Sequence, residues 1–335
     1  MSHYIVTVLV TASRLKSHKG NVDEALTEML LPYEESTEDE RFLKFKDVED
    51  EYRPKYESDT TTRIFHNGKN VTETAYNRFG NGPFPPGYDK KEVPLSEVYA
   101  SFDEYCDKYC GFADRHPETS KIGYWHNPNA KWDWWAIGGR WTGYFPVKST
   151  VKIKLGKPGA FNNQPKPGRA DIIKRSDIDM DVVARETREA AEKFFDEYQE
   201  LLNGKKFDVF DGPRHKAIDL GLLRVEEKTV SPGPNEVVFP WSEMNVDPKR
   251  RDWSDVATVI KDKDAFLSEY IDCFCPIISY AALDETGWYA PGEMGWWGVS
   301  SDTSAEYIRF CKEFFRRFIT AANDDDVIVA VDCHI

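Results

Sequence analysis

The run Tyr4-Ile5-Val6-Thr7-Val8-Leu9-Val10 is apolar and rich in β-branched side chains, which predicts a strand over His3 to Thr11. Asn21 can cap a helix over Val22 to Leu31, and Pro32 stops it. Near the other end, Cys275 to Leu283 reads as an apolar strand and Trp288 to Gly298 as a second, glycine-broken strand. Ser304 to Ala322 places Tyr307, Ile308, Cys311, Phe314, Phe315 and Phe318 at helical spacing, and Val327 to Val331 reads as a buried strand. The order β-α at the start and β-β-α-β at the end predicts an α+β fold. We read it as a split ferredoxin-like α/β sandwich, an antiparallel sheet with helices on one face. Residues 1–32 and 275–335 then form the core sheet, and 33–274 is a large central insertion in a single domain, 1–335. The first and last strands become antiparallel neighbours, which brings His3 close to His334.

Within the insertion, Ser96 to Cys110 predicts an amphipathic helix through Val98, Phe102, Tyr105, Cys106 and Tyr109. Tyr144 to Leu155 reads as a strand with one basic face, and Gly156 to Arg169 as a basic Gly/Pro loop. Asp179 to Asn203 is the longest predicted helix, with Gly204 as its stop. Tyr33 to Asp59, rich in Glu and Asp, reads as a solvated face or loop.

With hydrophobic residues at 40% and aromatics at 14%, the 335-residue chain can build a substantial core. No stretch approaches the roughly 20 apolar residues that span a bilayer. The apolar N-terminal run has no basic residues before it, so a strand rather than a signal peptide is expected. Six cysteines scattered over the chain suit reduced thiols in a cytosol rather than a disulfide scaffold. Cys106 and Cys110 are i,i+4 with no second pair nearby, so no metal is expected, and no cofactor motif is present.

Charge changes the picture more. The net charge is −14, which repels long nucleic acids unless the charge is segregated. Lys131 to Arg175 holds ten basic and two acidic residues, a local +8 that leaves −22 over the remainder. That segment opens on a tryptophan-rich cassette, in which five of the ten tryptophans fall between Trp125 and Trp141. Trp132, Trp134, Trp135 and Trp141 can stack a base, and Lys131 and Arg140 can pair with phosphate. Gly138-Gly139 can offer backbone amides to an anion, while Asn127, Asn129 and Asp133 can read polar edges. An internal use of the same residues, with Asp133 paired to Arg140, is the structural alternative. Trp296 and Trp297 form a second aromatic cluster with Trp288, Tyr289 and Glu293. His3 and His334 are candidate acid and base, because imidazole titrates near neutrality. Cys333, next to His334 in a strand, points to the opposite face.

Met1-Ser2-His3, Leu31-Pro32-Tyr33, Phe45 to Tyr52, Asn127-Pro128-Asn129-Ala130-Lys131-Trp132-Asp133-Trp134, Gly138-Gly139-Arg140-Trp141 and Val331-Asp332-Cys333-His334-Ile335 together resemble a family of tailed-bacteriophage proteins. The resemblance spans most of the chain. It implies a viral origin and a host-cytoplasmic location, and brings no activity or catalytic residues with it. The leading expectation is an accessory, counter-defence protein that binds a phosphorylated small molecule, a nucleotide signal, in the cassette. The alternatives are a nucleotide phosphodiesterase-like hydrolase using His3 and His334, and an acidic protein inhibitor or DNA mimic acting on a host defence protein. Neither a membrane nor long nucleic acid is expected as a partner, and the sequence leaves the oligomeric state open.

Overall fold

A computed structural model describes residues 2–81, 83–112, 114–158, 164–204, 212–227, 230–241, 252–295 and 299–335. The fold is α+β, with several separate sheets and, among the described residues, no barrel. The chain divides into two compact units rather than the single domain expected: Met1–Glu34 with Lys131–Ile335, and Glu35–Ala130. The inserted unit is thus much shorter than 33–274, because most of that span packs into the first unit. No helix among the described residues is long and apolar enough to cross a membrane.

The first unit is built on β1 (His3–Val10), α1 (Val22–Leu30), β2 (Trp134–Gly139) and β3 (Ile172–Lys174). The chain continues through α2 (Met180–Leu202), β4 (Ala281–Asp284), β5 (Gly287–Tyr289), α3 (Ser304–Phe314) and β6 (Val327–His334). Strands β1 and β6 pair antiparallel along their whole length, from His3 opposite His334 to Val10 opposite Val327. The expected neighbourhood of the two termini is therefore present. The rest of the order departs from the antiparallel ferredoxin-like sheet. On its other side β1 pairs in parallel with β4, and β5 follows β4 as a hairpin. A parallel neighbour needs a long crossover connection, and the segment from β1 to β4 supplies it. The outer edge of β6 is shared by β2 at Val331 to His334 and by β3 at Val327 to Val329.

Helices lie on both faces, not on one. Successive strand residues alternate in direction. Tyr4, Val6, Val8 and Val10 meet Ala25, Leu26, Met29 and Leu30 of α1. Ile5 and Leu9 belong to the opposite cluster, with Phe194, Phe195 and Tyr198 of α2 and Phe310 and Phe314 of α3. Nearly every residue of β1 and β6 is buried because both of its faces are covered, which is why these strands read as continuous apolar runs.

The local signals mostly hold. The Asn21 carboxamide caps α1 by accepting from Asp23 and Glu24. Thr303 and Glu306 make a reciprocal capping box at α3, which continues as a π-helical turn over Phe315–Thr320. Tyr144 to Leu155 is not the strand expected: only Phe145–Pro146 forms a paired strand there, followed by a single antiparallel bridge from Val147 to Ile178. The K-I-K-L alternation of Lys152 to Leu155 is exposed on every side chain, so its period is not that of a half-buried strand.

The second unit holds two small three-stranded sheets and its own core of Val48, Leu95, Phe102, Tyr105, Cys106 and Ile122. The acidic stretch, expected to be a solvated face or loop, contains a strand, Lys44–Asp47, and a helix, Glu49–Ser58, neither of which has a buried residue. Three acidic residues in its first turn favour that helix electrostatically. The single helix predicted over Ser96 to Cys110 is broken into short turns, Leu95–Val98, Phe102–Tyr105 and Cys106–Cys110.

Phe314 is fully buried and packs between Phe310 and Phe318, with tilted rings whose centroids lie 5.7 and 5.4 Å away. Phe314→Ala is expected to cost about 3–5 kcal/mol through lost burial and a residual cavity. Urea denaturation measures this, and a loss below about 1 kcal/mol would contradict the helix–sheet packing described.

Candidate functional site

Directly opposite residues of an antiparallel pair point to the same face. His3, His334 and Trp134 therefore form one row across β1, β6 and β2, and Ile5, Asp332 and Ala136 form the next. Tyr4, Cys333 and Trp135 form the intervening row on the other face. The His3 and His334 rings lie 4.7 Å apart, edge to face. Trp134 stands edge-on to both, at 5.7 and 6.4 Å, and is 46% exposed.

Each imidazole is held by a carboxylate. His3 Nδ1 is 2.8 Å from Asp332 Oδ1, and His334 Nδ1 is 2.6 Å from Asp133 Oδ1. Such a bond at Nδ1 fixes ring orientation and leaves Nε2 as the nitrogen for proton exchange. The two carboxylates differ in setting: Asp332 has no exposed side-chain surface, while Asp133 is 38% exposed. The backbone fixes Asp133, whose N–H donates to His334 O at 3.0 Å.

Gly138-Gly139 has a role other than binding an outside anion. Both residues have positive φ, 73° and 50°, which suits glycine and ends β2 in a turn closed by Trp141 N–H donating to Gly138 O at 2.9 Å. A Cβ on Gly138 would lie 2.2 Å from Asp171 Oδ2, and one on Gly139 2.3 Å from Asp332 Oδ2. The anions served by the surrounding amides are thus the protein's own. Asp332 Oδ2 accepts from Arg140 N–H at 2.8 Å. Asp171, fully buried, accepts from Gly143 N–H at 2.6 Å, Gly156 N–H at 2.9 Å and the Thr142 hydroxyl at 2.8 Å.

The four cassette indoles do not converge. Trp132 is buried in the α1-side core, and its Nε1–H donates to Leu30 O at 3.2 Å. Trp135 packs against that same cluster, whereas Trp141 packs against the opposite one. Trp134 alone joins the histidines. Lys131 is paired with Glu293 rather than free for phosphate. Asn127 and Asn129 fall in the second unit, where Asn127 Oδ1 accepts from Asn129 N–H at 2.9 Å and shapes a turn. Trp296 and Trp297 lie outside the described residues. Cys333 is fully enclosed, and burial pushes its thiol well above the ordinary range, so it is no nucleophile.

Much of the basic segment is also spent internally. Arg169 bonds Tyr144 O and Glu186, Arg175 bonds Asp324 and Ile319 O, Lys174 bonds Asp325, and Lys148 bonds Ser176 O. Lys152, Lys154, Lys157 and Lys166 are exposed. Lys157 and Trp135, with Ile137, Leu155 and Gly156, line an open groove of about 460 Å³. Among the described residues no group of three or more His, Cys, Asp or Glu side chains is placed to hold a metal.

Comparison with known proteins finds no family model, no curated protein and no solved structure that matches this chain.

Asp171→Ala would leave the Thr142 hydroxyl and two backbone N–H groups buried without their acceptor. At about 1–3 kcal/mol for each unmet group, a loss of at least about 3 kcal/mol is expected. Thermal or urea melting reads it, and a near-neutral Asp171→Ala would mean that this carboxylate does not organise the turn.

Proposed function

We propose that the protein is an acid–base hydrolase of phosphodiester bonds in a small nucleotide, with His3 and His334 as the paired acid and base. One observation carries this reading: two imidazoles in contact, each with Nδ1 held by its own carboxylate. Phosphodiester hydrolysis needs one group to take a proton from water as it attacks phosphorus. A second group gives a proton to the leaving oxygen as the P–O bond breaks. Two adjacent imidazoles, one acting as base and the other as acid, supply both roles. The exposed face of Trp134 can stack the base of such a substrate, an interaction worth about 1–3 kcal/mol. The phage resemblance would make the host cytoplasm the setting and a nucleotide signal of host defence the substrate, which the basic segment would attract.

Incubation with a panel of cyclic and linear nucleotides, read by chromatography, is expected to show turnover. His3→Ala and His334→Ala should each lose about 10²–10⁴-fold while retaining the wild-type circular dichroism. Absence of turnover on the whole panel, or turnover unchanged in both folded variants, would reject the assignment.

A second reading, binding without cleavage, is favoured by the groove between Trp135 and Lys157, which offers an indole wall and a cation. It lies on the sheet face opposite the histidines, so the two readings separate cleanly. Calorimetric heat with nucleotides that disappears in Lys157→Ala and persists in His334→Ala would support it, and binding unaffected by Lys157→Ala would remove it.

A further inference from the structure

Away from the histidine row, the second unit holds an open cavity of about 670 Å³ that the proposed hydrolysis does not use. One wall is the strand Thr60–His66, where Thr61 and Arg63, two residues apart, share a face. Another is the helix Thr72–Phe79, whose Glu73, Tyr76 and Asn77 stand on one side at helical spacing. Tyr99 and Lys108 also line the space. Arg63 is a part-buried cation that lacks an anion. Its Nη2 donates to the Tyr99 hydroxyl at 3.2 Å, and its guanidinium lies 5.9 Å from the centre of the Tyr99 ring. Its Nε is buried without a hydrogen-bond partner, and among the described residues no carboxylate is in ion-pair contact with it. A guanidinium withdrawn from water in this way is costly until an acceptor reaches it. Tyr99 is itself fixed. Its carbonyl accepts from the Tyr56 hydroxyl at 3.0 Å, and its ring packs on Tyr105 and Tyr109 at 5.8 and 6.0 Å. The Arg63 head group is thereby held in place before any ligand arrives.

We propose that this cavity binds a small aromatic carboxylate, with its carboxylate on Arg63 and its ring against the Tyr76 and Tyr99 side chains. The neighbouring groups decide the class of anion. Lys108 is bound to Glu104 at 2.6 Å, so that pair is neutral. From the paired strand Tyr88–Pro94, Lys91 stands opposite Arg63 and Asp89 opposite Phe65, which offsets one charge with another. The Lys91 ammonium lies over the Phe65 ring at 5.2 Å. Glu73 adds one exposed negative charge to the wall. A singly charged carboxylate is therefore tolerated better than the double charge of a phosphate monoester. Its plane also matches the guanidinium plane, which favours paired hydrogen bonds. Two hydroxyls of the lining are already spent: Thr72 accepts from Ile64 N–H at 2.8 Å and donates to Asn70 at 2.7 Å, and Thr62 donates to Glu92 at 2.5 Å. The Thr61 hydroxyl and the Asn77 carboxamide are left to meet polar edges of the ligand, and the two tyrosine rings suit an aromatic body. This site belongs to the second unit and stands whether or not the histidines hydrolyse a nucleotide.

The test is an NMR titration of the full-length protein, observing the ligand, with benzoate, benzamide and phenyl phosphate as probes. Benzoate is expected to bind, and benzamide, which has the same ring without the charge, to bind at least about 10-fold more weakly. Arg63→Met should weaken benzoate about 10–100-fold with circular dichroism unchanged. Arg63→Lys, which keeps the charge and loses the fork, should recover only part of that affinity. Glu73→Gln should tighten benzoate, by a factor that shrinks as salt is added. Tyr99→Phe removes only the hydroxyl that holds Arg63 and should also weaken benzoate, so the proposal stays testable if Arg63→Met fails to fold. No binding of benzoate at millimolar concentration would overturn the proposal. Benzamide or phenyl phosphate binding as tightly as benzoate would do so too, as would benzoate affinity unchanged in the folded Arg63→Met or Tyr99→Phe protein.

Discussion

Two carboxylates with no access to water, Asp171 and Asp332, bear on the turn at Gly138-Gly139, and the arrangement of the central sheet follows from them. A buried carboxylate is tolerated only where donors meet its oxygens. Asp332 obtains Arg140 N–H and the His3 imidazole; Asp171 obtains two backbone amides and a hydroxyl. These demands fix where β2 stops and how the chain turns after it. The backbone carbonyl of Asp171 separately accepts from Ala330 N–H at 2.8 Å, between the stretches where β2 and β3 pair with β6. The two carboxylates thereby fix the turn and, through Asp332, the tilt of the His3 ring.

Much of the framework was legible because its signals are local. Continuous apolar runs with β-branched residues mark β1 and β6, Asn21 marks a helix start, and the length of α2 was read almost to the residue. The pairing of His3 with His334 followed from placing the first and last strands side by side. The parallel partnership of β1 with β4 was not legible, because nothing in a strand's own residues states which neighbour it will take. The placement of helices on both faces was available in principle. Val6 and Val8 are as apolar as Ile5 and Leu9, and a strand with no polar face needs cover on each side.

The site was legible in its residues and not in its geometry. Tryptophans close in sequence were expected to act together, yet strand alternation sends Trp134 and Trp135 to opposite faces, and Trp132 caps the core by bonding Leu30 O. The basic excess is largely consumed by ion pairs and carbonyls within its own unit. What sequence reasoning passed over was Asp332, the residue that orients His3, and Asp171. Both are acidic residues set in otherwise apolar strand surroundings, a pattern that signals an internally satisfied charge.

The fit of glycine against carboxylate has a consequence for how this chain can drift over generations. A side chain at Gly138 or Gly139 would occupy space held by Asp171 or Asp332, so neither member of either couple is free to change first. Shortening an aspartate strands the amides around it, and enlarging a glycine collides with the oxygen. Each couple is locked by its intermediate rather than by its end state, and descendants of this sequence should inherit the glycines and their aspartates as linked sets.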